Sequence, residues 1–458
     1  MLPVFDFFKS TILIKFVKEL TIKDNIITSM NNRLFIAAIA LTGLMASSST
    51  ALAVSPTPQQ SASHYYAYPY LNVEPPAQTP APEGYEPFHI EHYGRHGSRW
   101  LINPNQYAIP IRELSKAERN GKLTPFGQEV LDTIRSIQRQ SEGRLGELSD
   151  IGALQHQAIG RRMYRNFPEI FKPGTHVDAR STVVIRCILS MLNEIKELQA
   201  LEPNLLITTD ASYADMNYMN HDHDSTARAL RKKAKATVLK EERAKYENKG
   251  DFLSKLVNDP KFASDSIDRQ ALATDLANVL GNAQSHSTQP WMLDKVFTQQ
   301  ELHDEWMRRN LNWFVDAGNS KLTGNTQPME QRFLLRNMIE SADTAVVSPK
   351  TSANLRFGHD SVVYPLAVLM EIDDYGQEIN DLSQLEGRIN DFELVPMASN
   401  IQMIFYRPVK SNNPDDVLVK VMLQETERRL PIEAVTGPYY SWPKLRDYYL
   451  SKIGHSEK

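Results

Sequence analysis

The sequence predicts an α/β fold: a mostly parallel sheet flanked by helices, carrying an inserted α-helical cap. Three observations lead there. Short β-branched and aromatic runs alternate with helical periodicity over residues 87–209, and the alternation returns over 350–458. Between them, residues 210–349 read as helices, several of them long and polar, with no convincing strand. Strands that alternate with helices imply parallel pairing, because each helix carries the chain back across the sheet.

The chain's first residues do not belong to that fold. Met30-Asn31-Asn32-Arg33 is a short basic start, followed by the apolar run Leu34 to Met45 and by Ala51-Leu52-Ala53. This is the pattern of a secretory signal with an Ala-x-Ala cleavage site. The run is too short to span a membrane, and no cysteine follows it to carry a lipid anchor. Residues 1–53 are therefore read as an N-terminal extension plus signal peptide, with Met30 a candidate start of translation. The mature chain is expected to begin at Val54 and to be exported. Residues 54–86 hold Pro56, Pro58, Pro75, Pro76, Pro80 and Pro82 among Ser, Gln and Tyr, which predicts an extended lead rather than a packed element.

Hydrophobic residues make up 41% of the chain and charged residues 23%, with a formal net charge of −4. That composition suits a globular enzyme of one large domain or two smaller ones. It gives no support for nucleic-acid binding by the whole chain. Cys187 is the only cysteine, which excludes an internal disulfide. An exported chain without disulfides points to a bacterial periplasm or its surroundings.

The core elements follow in order. Thr124 and Pro125 are placed as N-cap and first residue of a helix running to about Gln140. Leu148 to Gly152 repeats that arrangement and opens a second helix to about Phe167. Thr175 to Ala179 reads as a strand. A helix from Ser181 to Leu198 is expected to show Val184, Ile188, Met191, Leu192 and Ile195 on one face. Leu205 to Thr208 is a further strand. In the helical stretch, Thr226 to Lys249 reads as one charged helix, and Arg308 to Phe314 marks another. Asn354 to Phe357, Ile401 to Tyr406 and Val417 to Leu423 restore the strands.

The densest chemistry is Glu91-His92-Tyr93-Gly94-Arg95-His96-Gly97-Ser98-Arg99, after the extended run Phe88-His89-Ile90. The His96 imidazole can attack phosphorus, and Arg95 and Arg99 offer forked donors matched to phosphate oxygens. Gly97 would let the backbone approach a bound anion. A solvated loop is the simpler reading of such a string, but this one sits at a strand end, where α/β proteins place ligands. His89 and His92 are expected to pack or to support the loop. Arg186 lies on a helix that directly follows a strand; alone, it reads as a surface arginine. Phe357-Gly358-His359-Asp360 is again a strand end turning into a helix. Asp360 is placed to cap that helix, the common role, or to donate a proton to a leaving oxygen if its surroundings or a phosphate raise its pKa.

Together these pieces resemble the histidine acid phosphatases, the secreted branch of the histidine phosphatase superfamily. Arg95-His96-Gly97-Ser98-Arg99 matches the family's Arg-His-Gly-x-Arg signature, Arg186 its third phosphate-binding arginine, and His359-Asp360 its His-Asp pair. The resemblance implies that His96 attacks a phosphomonoester to form a phosphohistidine. It implies that Arg95, Arg99, Arg186 and His359 hold the phosphate oxygens, and that Asp360 protonates the leaving alcohol and then helps activate water. No metal or cofactor is implied, and the working pH should be acidic.

The long chain, the helical cap and Gln155-His156-Gln157 with Gly160-Arg161-Arg162-Met163-Tyr164 look most like phytases and multiple inositol polyphosphate phosphatases. At the donor position this chain has His359-Asp360-Ser361, where the vertebrate members of the latter group carry His-Ala-Glu. The implied partner is a phosphorylated, polyanionic small molecule.

Several rivals stand beside this reading. A broad-specificity acid phosphatase of the same family would share every motif. His221-Asp222-His223-Asp224 could clasp a divalent ion in a metallophosphatase, although no strand-to-helix junction stands behind it. A phosphotransfer mutase fits poorly with export and the His-Asp pair, and a non-catalytic phosphate-binding module would be expected to lose His96 or Asp360. Arg228, Arg231, Lys232, Lys233 and Lys235 could attract a polyanion, but a solvated helix face is the simpler account.

Overall fold

The computed structural model describes residues 55–219, 224–286 and 288–454. The signal-like stretch and His221 to His223 lie outside the described residues. The strands are β1 (Tyr85–Arg95), β2 (His176–Ser181), β3 (Leu206–Asp210), β4 (Thr351–Gly358), β5 (Asn400–Pro408), β6 (Leu418–Leu423), β7 (Thr426–Glu427) and β8 (Tyr440–Ser441). They form one mixed sheet in the order β3-β2-β4-β1-β5-β6-β7, with β8 on β6. β3, β2, β4 and β1 are mutually parallel, and β5 turns the sheet antiparallel beyond β1. The pairing Arg95↔Gly358 sets the carboxyl ends of β1 and β4 side by side, and Ser181↔Phe357 brings the end of β2 level with them. In parallel sheets the crevice outside such ends is where ligands bind.

The longer helices are α1 (Asn105–Arg119), α2 (Pro125–Ser141), α3 (Asp150–Asn166), α4 (Ile185–Leu201), α5 (Ser225–Ala236), α6 (Arg269–Gly281), α7 (Gln299–Ala317), α8 (Arg332–Val347), α9 (Asp360–Leu369) and α10 (Trp442–Ile453). Their starts obey local chemistry. The Thr124 and Ser149 side chains accept from Gly127 N and Gly152 N, and Thr298 with Glu301 closes a capping box at α7. α3 and α4 bury apolar side chains against one sheet face, while α8, α9 and α10 share a second cluster with Phe405 and Val421. α1 and α2 pack instead on α6 and its neighbours in a third cluster, where α2 fully buries Val130, Leu131 and Ile134. Each such side chain contributes about 1.5–3 kcal/mol. Between β3 and β4 the described residues form helices, turns and irregular chain without a named strand. No helix among the described residues is long and apolar enough to cross a membrane.

Three local expectations need correction. Residues 60–65, expected within an extended lead, form a 3-10 helix with Ala62, Ser63 and Tyr65 buried; distant partners anchor it, since Ala62 and Tyr65 join a core cluster and the Ser63 hydroxyl donates to Asp391. The charged helix is broken at Thr237, whose φ of −118° and ψ of −100° leave the helical region while its hydroxyl donates to Lys233 O at 2.9 Å. α4 turns Cys187, Ser190, Met191, Glu194, Ile195 and Leu198 inward and leaves Leu192 44% exposed. Its inner face is set by polar partners that an apolar period cannot reveal: Ser190 and Glu194 bond the motif loop and α3.

Candidate active site

β1 extends through Arg95, so most of the motif is strand and the loop proper starts at His96. Backbone bonds tie that loop down on two sides. His96 N donates to Gly358 O at 2.9 Å, Arg95 N to Ser399 O at 2.7 Å, and Ala398 N to His96 O at 3.1 Å. α3 holds its far end: Gln155 accepts from Ser98 N at 2.8 Å and donates to Ser98 Oγ at 3.0 Å. Gly97 N donates to Ser190 Oγ of α4 at 3.1 Å. The helix pair is itself locked by His156 Nδ1 on Glu194 at 2.9 Å, and Arg162 of α3 pairs with Glu425 at 2.5 Å.

Gly97 has a packing role in the loop. A Cβ on it would lie 2.4 Å from Gly152 O, and a Cβ on Gly152 would lie 2.2 Å from Ser98 O. The two glycines let the loop rest on the first turn of α3. Helix propensity alone would make Gly152→Ala stabilising by about 1 kcal/mol. The backbone clash should reverse that sign, because overpacking costs about 1–3 kcal/mol. The variant is expected to melt lower and to lose activity with it; thermal unfolding beside phosphate release checks this, and a raised melting temperature would contradict the contact.

His96 is 1% exposed and its Nδ1 lies 2.9 Å from Gly97 O. A carbonyl can only accept, so Nδ1 carries the hydrogen and Nε2 keeps its lone pair. Burial first, and then the charges of Arg95, Arg186, Arg99 and His359, push the imidazole well below the ordinary 6.5. His359 stands edge-on to it with ring centroids 5.8 Å apart. Burial, Arg186, Arg95 and Arg99 lower His359 to about 4, against the opposing pull of Asp360. Thr182 Oγ1 at 3.3 Å and the Cys187 thiol at 3.8 Å from Nε2 support that ring.

Arg95 is fully buried and largely committed to the protein. Its Nη1 donates to His64 O at 2.7 Å and to Val395 O at 2.6 Å, and its Nη2 pairs with Asp360 Oδ2 at 2.6 Å. Asp360 is the first residue of α9 rather than its cap, which is His359 without a side-chain bond. Burial pushes the Asp360 carboxyl up, but Arg95, His64, Arg99 and His359 outweigh it and hold it well below the usual carboxylate range. Arg99 lies with its guanidinium 5.5 Å from the Tyr65 ring centroid. Its Nε, Arg95 Nε and Arg186 Nε are buried with no hydrogen-bond partner among the described residues. Three guanidiniums with donors to spare, around a neutral histidine, suit an anion.

The fold thus brings His96, Arg95, Arg99, Arg186, His359 and Asp360 to one crevice. Sequence reasoning missed His64 and Tyr65, which reach the site from the N-terminal segment; the aromatic run Tyr65-Tyr66 was the only signal. His89 bonds Glu91 at 2.8 Å, and Glu91 also pairs with Arg356 beneath the loop. His92 is buried with neither ring nitrogen bonded. Arg231 and Lys235 of the basic run turn toward Asp316, at 3.7 and 2.6 Å. Among the described residues no group of three or more His, Cys, Asp or Glu is placed to hold a metal ion.

Comparison with known proteins finds similar folds. The Bifidobacterium longum multiple inositol polyphosphate phosphatase in complex with phosphate superposes with a TM-score of 0.67 at 18% identity, over 86% of this chain and 98% of that one. The phytase from D. castellii gives 0.61 at 12% identity, over 87% and 85%. A Hafnia alvei phytase in complex with tartrate gives 0.52 at 12% identity, over 82% and 99%. At such identities the likeness is one of fold. No curated protein matches the sequence. Residues 94–424 match the family model of the histidine phosphatase superfamily, branch 2, and the chain belongs to that family as a histidine-type phosphatase.

Proposed function

We propose that this chain is an exported acid phosphatase that hydrolyses phosphomonoesters through a phosphohistidine, with inositol polyphosphates such as phytate as its substrate class. The observation that carries the mechanism is the fixed tautomer of His96, with Nδ1 on Gly97 O and Nε2 free among three arginines. Nε2 attacks phosphorus, the bond to the ester oxygen breaks, and Asp360 gives that oxygen its proton. Water then attacks the phosphohistidine, passing a proton to Asp360 and returning neutral His96. Arg95, Arg99, Arg186 and His359 balance the charge on the phosphoryl oxygens, so the route needs no metal.

In the free site Arg95 keeps Asp360 ionised. The charge of an incoming phosphate offsets that guanidinium and lets the carboxyl gain its proton, which favours acidic pH. The substrate class is supported by the folds it is similar to. Residues 210–349, with α1 and α2 packed on them, are read as one cap beside the crevice.

The test is phosphate release from phytate and from a simple aryl phosphate at mildly acidic pH with chelator present. Both should be hydrolysed, phytate with the higher kcat/KM. A clear preference for the aryl ester would make this a broad-specificity acid phosphatase. Release abolished by chelator would move the chemistry to a metal, with His221 and His223 the first suspects.

A further inference from the structure

We propose that Tyr65 is a positioning residue of this site, whose ring holds the Arg99 guanidinium in place for a phosphate group while leaving its N–H donors free. The inference rests on reading the crevice as a phosphomonoesterase site.

The first support is how differently the two arginines of the motif are held. Arg95 spends its donors on two carbonyls and on Asp360. Arg99 is also buried, but its Nη1 donates to the carbonyl of neighbouring Trp100 at 3.1 Å, and its Nε has no hydrogen-bond partner among the described residues. What lies against the group is the Tyr65 ring, with the guanidinium carbon 5.5 Å from its centroid. An aromatic face attracts a cation through its quadrupole, and more strongly where water is excluded. A carboxylate would hold Arg99 too, but it would occupy the N–H groups and cancel the charge that an anion needs. The ring does neither. It also helps to keep Arg99 in place against the repulsion of Arg95 and Arg186.

The second support is how firmly the ring itself is set. Tyr65 is buried in the cluster that α1, α2 and α6 share. Its hydroxyl accepts from Gln106 Nε2 of α1 at 3.1 Å. Two residues earlier, Ser63 has φ 60° and ψ −131°, a conformation that a non-glycine residue keeps only where its surroundings impose it. They do so here. The Ser63 hydroxyl donates to Asp391, which also accepts from Trp306 Nε1 at 2.9 Å, and Arg309 Nη1 of α7 donates to Ser61 O at 3.1 Å. The turn so fixed puts the His64 carbonyl 2.7 Å from Arg95 Nη1 and the Tyr65 ring against Arg99. Consecutive residues of one segment thus hold both arginines of the motif.

The test is a double-mutant cycle on the full chain, read by calorimetric titration with inorganic phosphate at mildly acidic pH. Tyr65→Leu is expected to weaken phosphate binding by about 2- to 30-fold, the range for loss of a cation–ring contact. Tyr65→Phe keeps the ring without the hydroxyl and should bind within about twofold of wild type. In the Arg99→Gln background, Tyr65→Leu should change the affinity by less than about twofold, because the group it positions is gone. If Arg99→Gln binds too weakly to titrate, the same cycle is read in kcat/KM for an aryl phosphate. Tyr65→Met stands in if Tyr65→Leu fails to fold. Equal losses with and without Arg99 overturn the proposal, since that is what a merely structural residue gives. Tyr65→Phe binding as weakly as Tyr65→Leu overturns it as well, by moving the effect to the hydroxyl and Gln106. If wild type binds no phosphate at all, the phosphatase reading falls, and this proposal with it.

Discussion

His96→Ala is expected to lower phosphate release from any ester by at least about 10,000-fold, because residues acting as a nucleophilic unit fail together when the nucleophile goes. The measurement is steady-state release together with a quench in alkaline denaturant that traps labelled phosphoenzyme. Wild type should yield acid-labile label, and the variant none. Activity retained within tenfold would place the nucleophile elsewhere.

The same residue sets the sign of the pH dependence. Folding holds His96 below 6.5 by burial and by the neighbouring cations. It therefore stays neutral, and nucleophilic, as pH falls below the ordinary histidine value, and is lost only when pH drops through its own lowered pKa. The acid limb of kcat/KM, which reports the free enzyme, should lie well below 6.5.

Asp360→Asn should have the next largest effect, and one that depends on the ester. General acid catalysis contributes about 100- to 10,000-fold, and an alkyl leaving group such as an inositol needs all of it. A nitrophenolate leaves without a proton and should lose far less. Comparing kcat for the two esters in wild type and variant separates the roles: equal losses would mean that Asp360 only orders Arg95. Asparagine is the right substitution because Arg95 is fully buried while its partner carboxyl is 15% exposed. Removing one member of a buried pair outright costs about 3–5 kcal/mol, which would confuse a catalytic loss with a folding one. An amide oxygen can still accept from the guanidinium, so the melting temperature of Asp360→Asn should move little beside the change in kcat.

Much of the site was legible because its chemistry is written in short, contiguous strings at strand ends. Arg95 to Arg99 and Phe357 to Asp360 each carry their functional groups within a few residues, and helix starts such as Thr124-Pro125 depend on neighbours only three positions away. The strand ends could also be aligned in advance, since alternating strands and helices imply a parallel sheet and its crevice. Less legible were the roles decided by distant partners. Arg95 was expected to fork onto phosphate, yet two carbonyls and a carboxylate from three other segments occupy most of its donors. That Gly97 also rests against the backbone of Gly152, far along the chain, was not legible.

The sequence by itself determined the candidate groups and their order along the chain: a histidine between two arginines, a third arginine after a strand, and a His-Asp pair before an apolar helix. It did so because residue type and local spacing limit what chemistry those side chains can perform. Only the tertiary structure decided the protonation of those groups and the company they keep. Whether His96 is neutral, whether Asp360 is ionised, and whether His64 belongs to the site all depend on burial and on charges brought together from β1, α7, α9 and the N-terminal segment. Electrostatic energies follow distance in space, and the folding of the chain sets those distances.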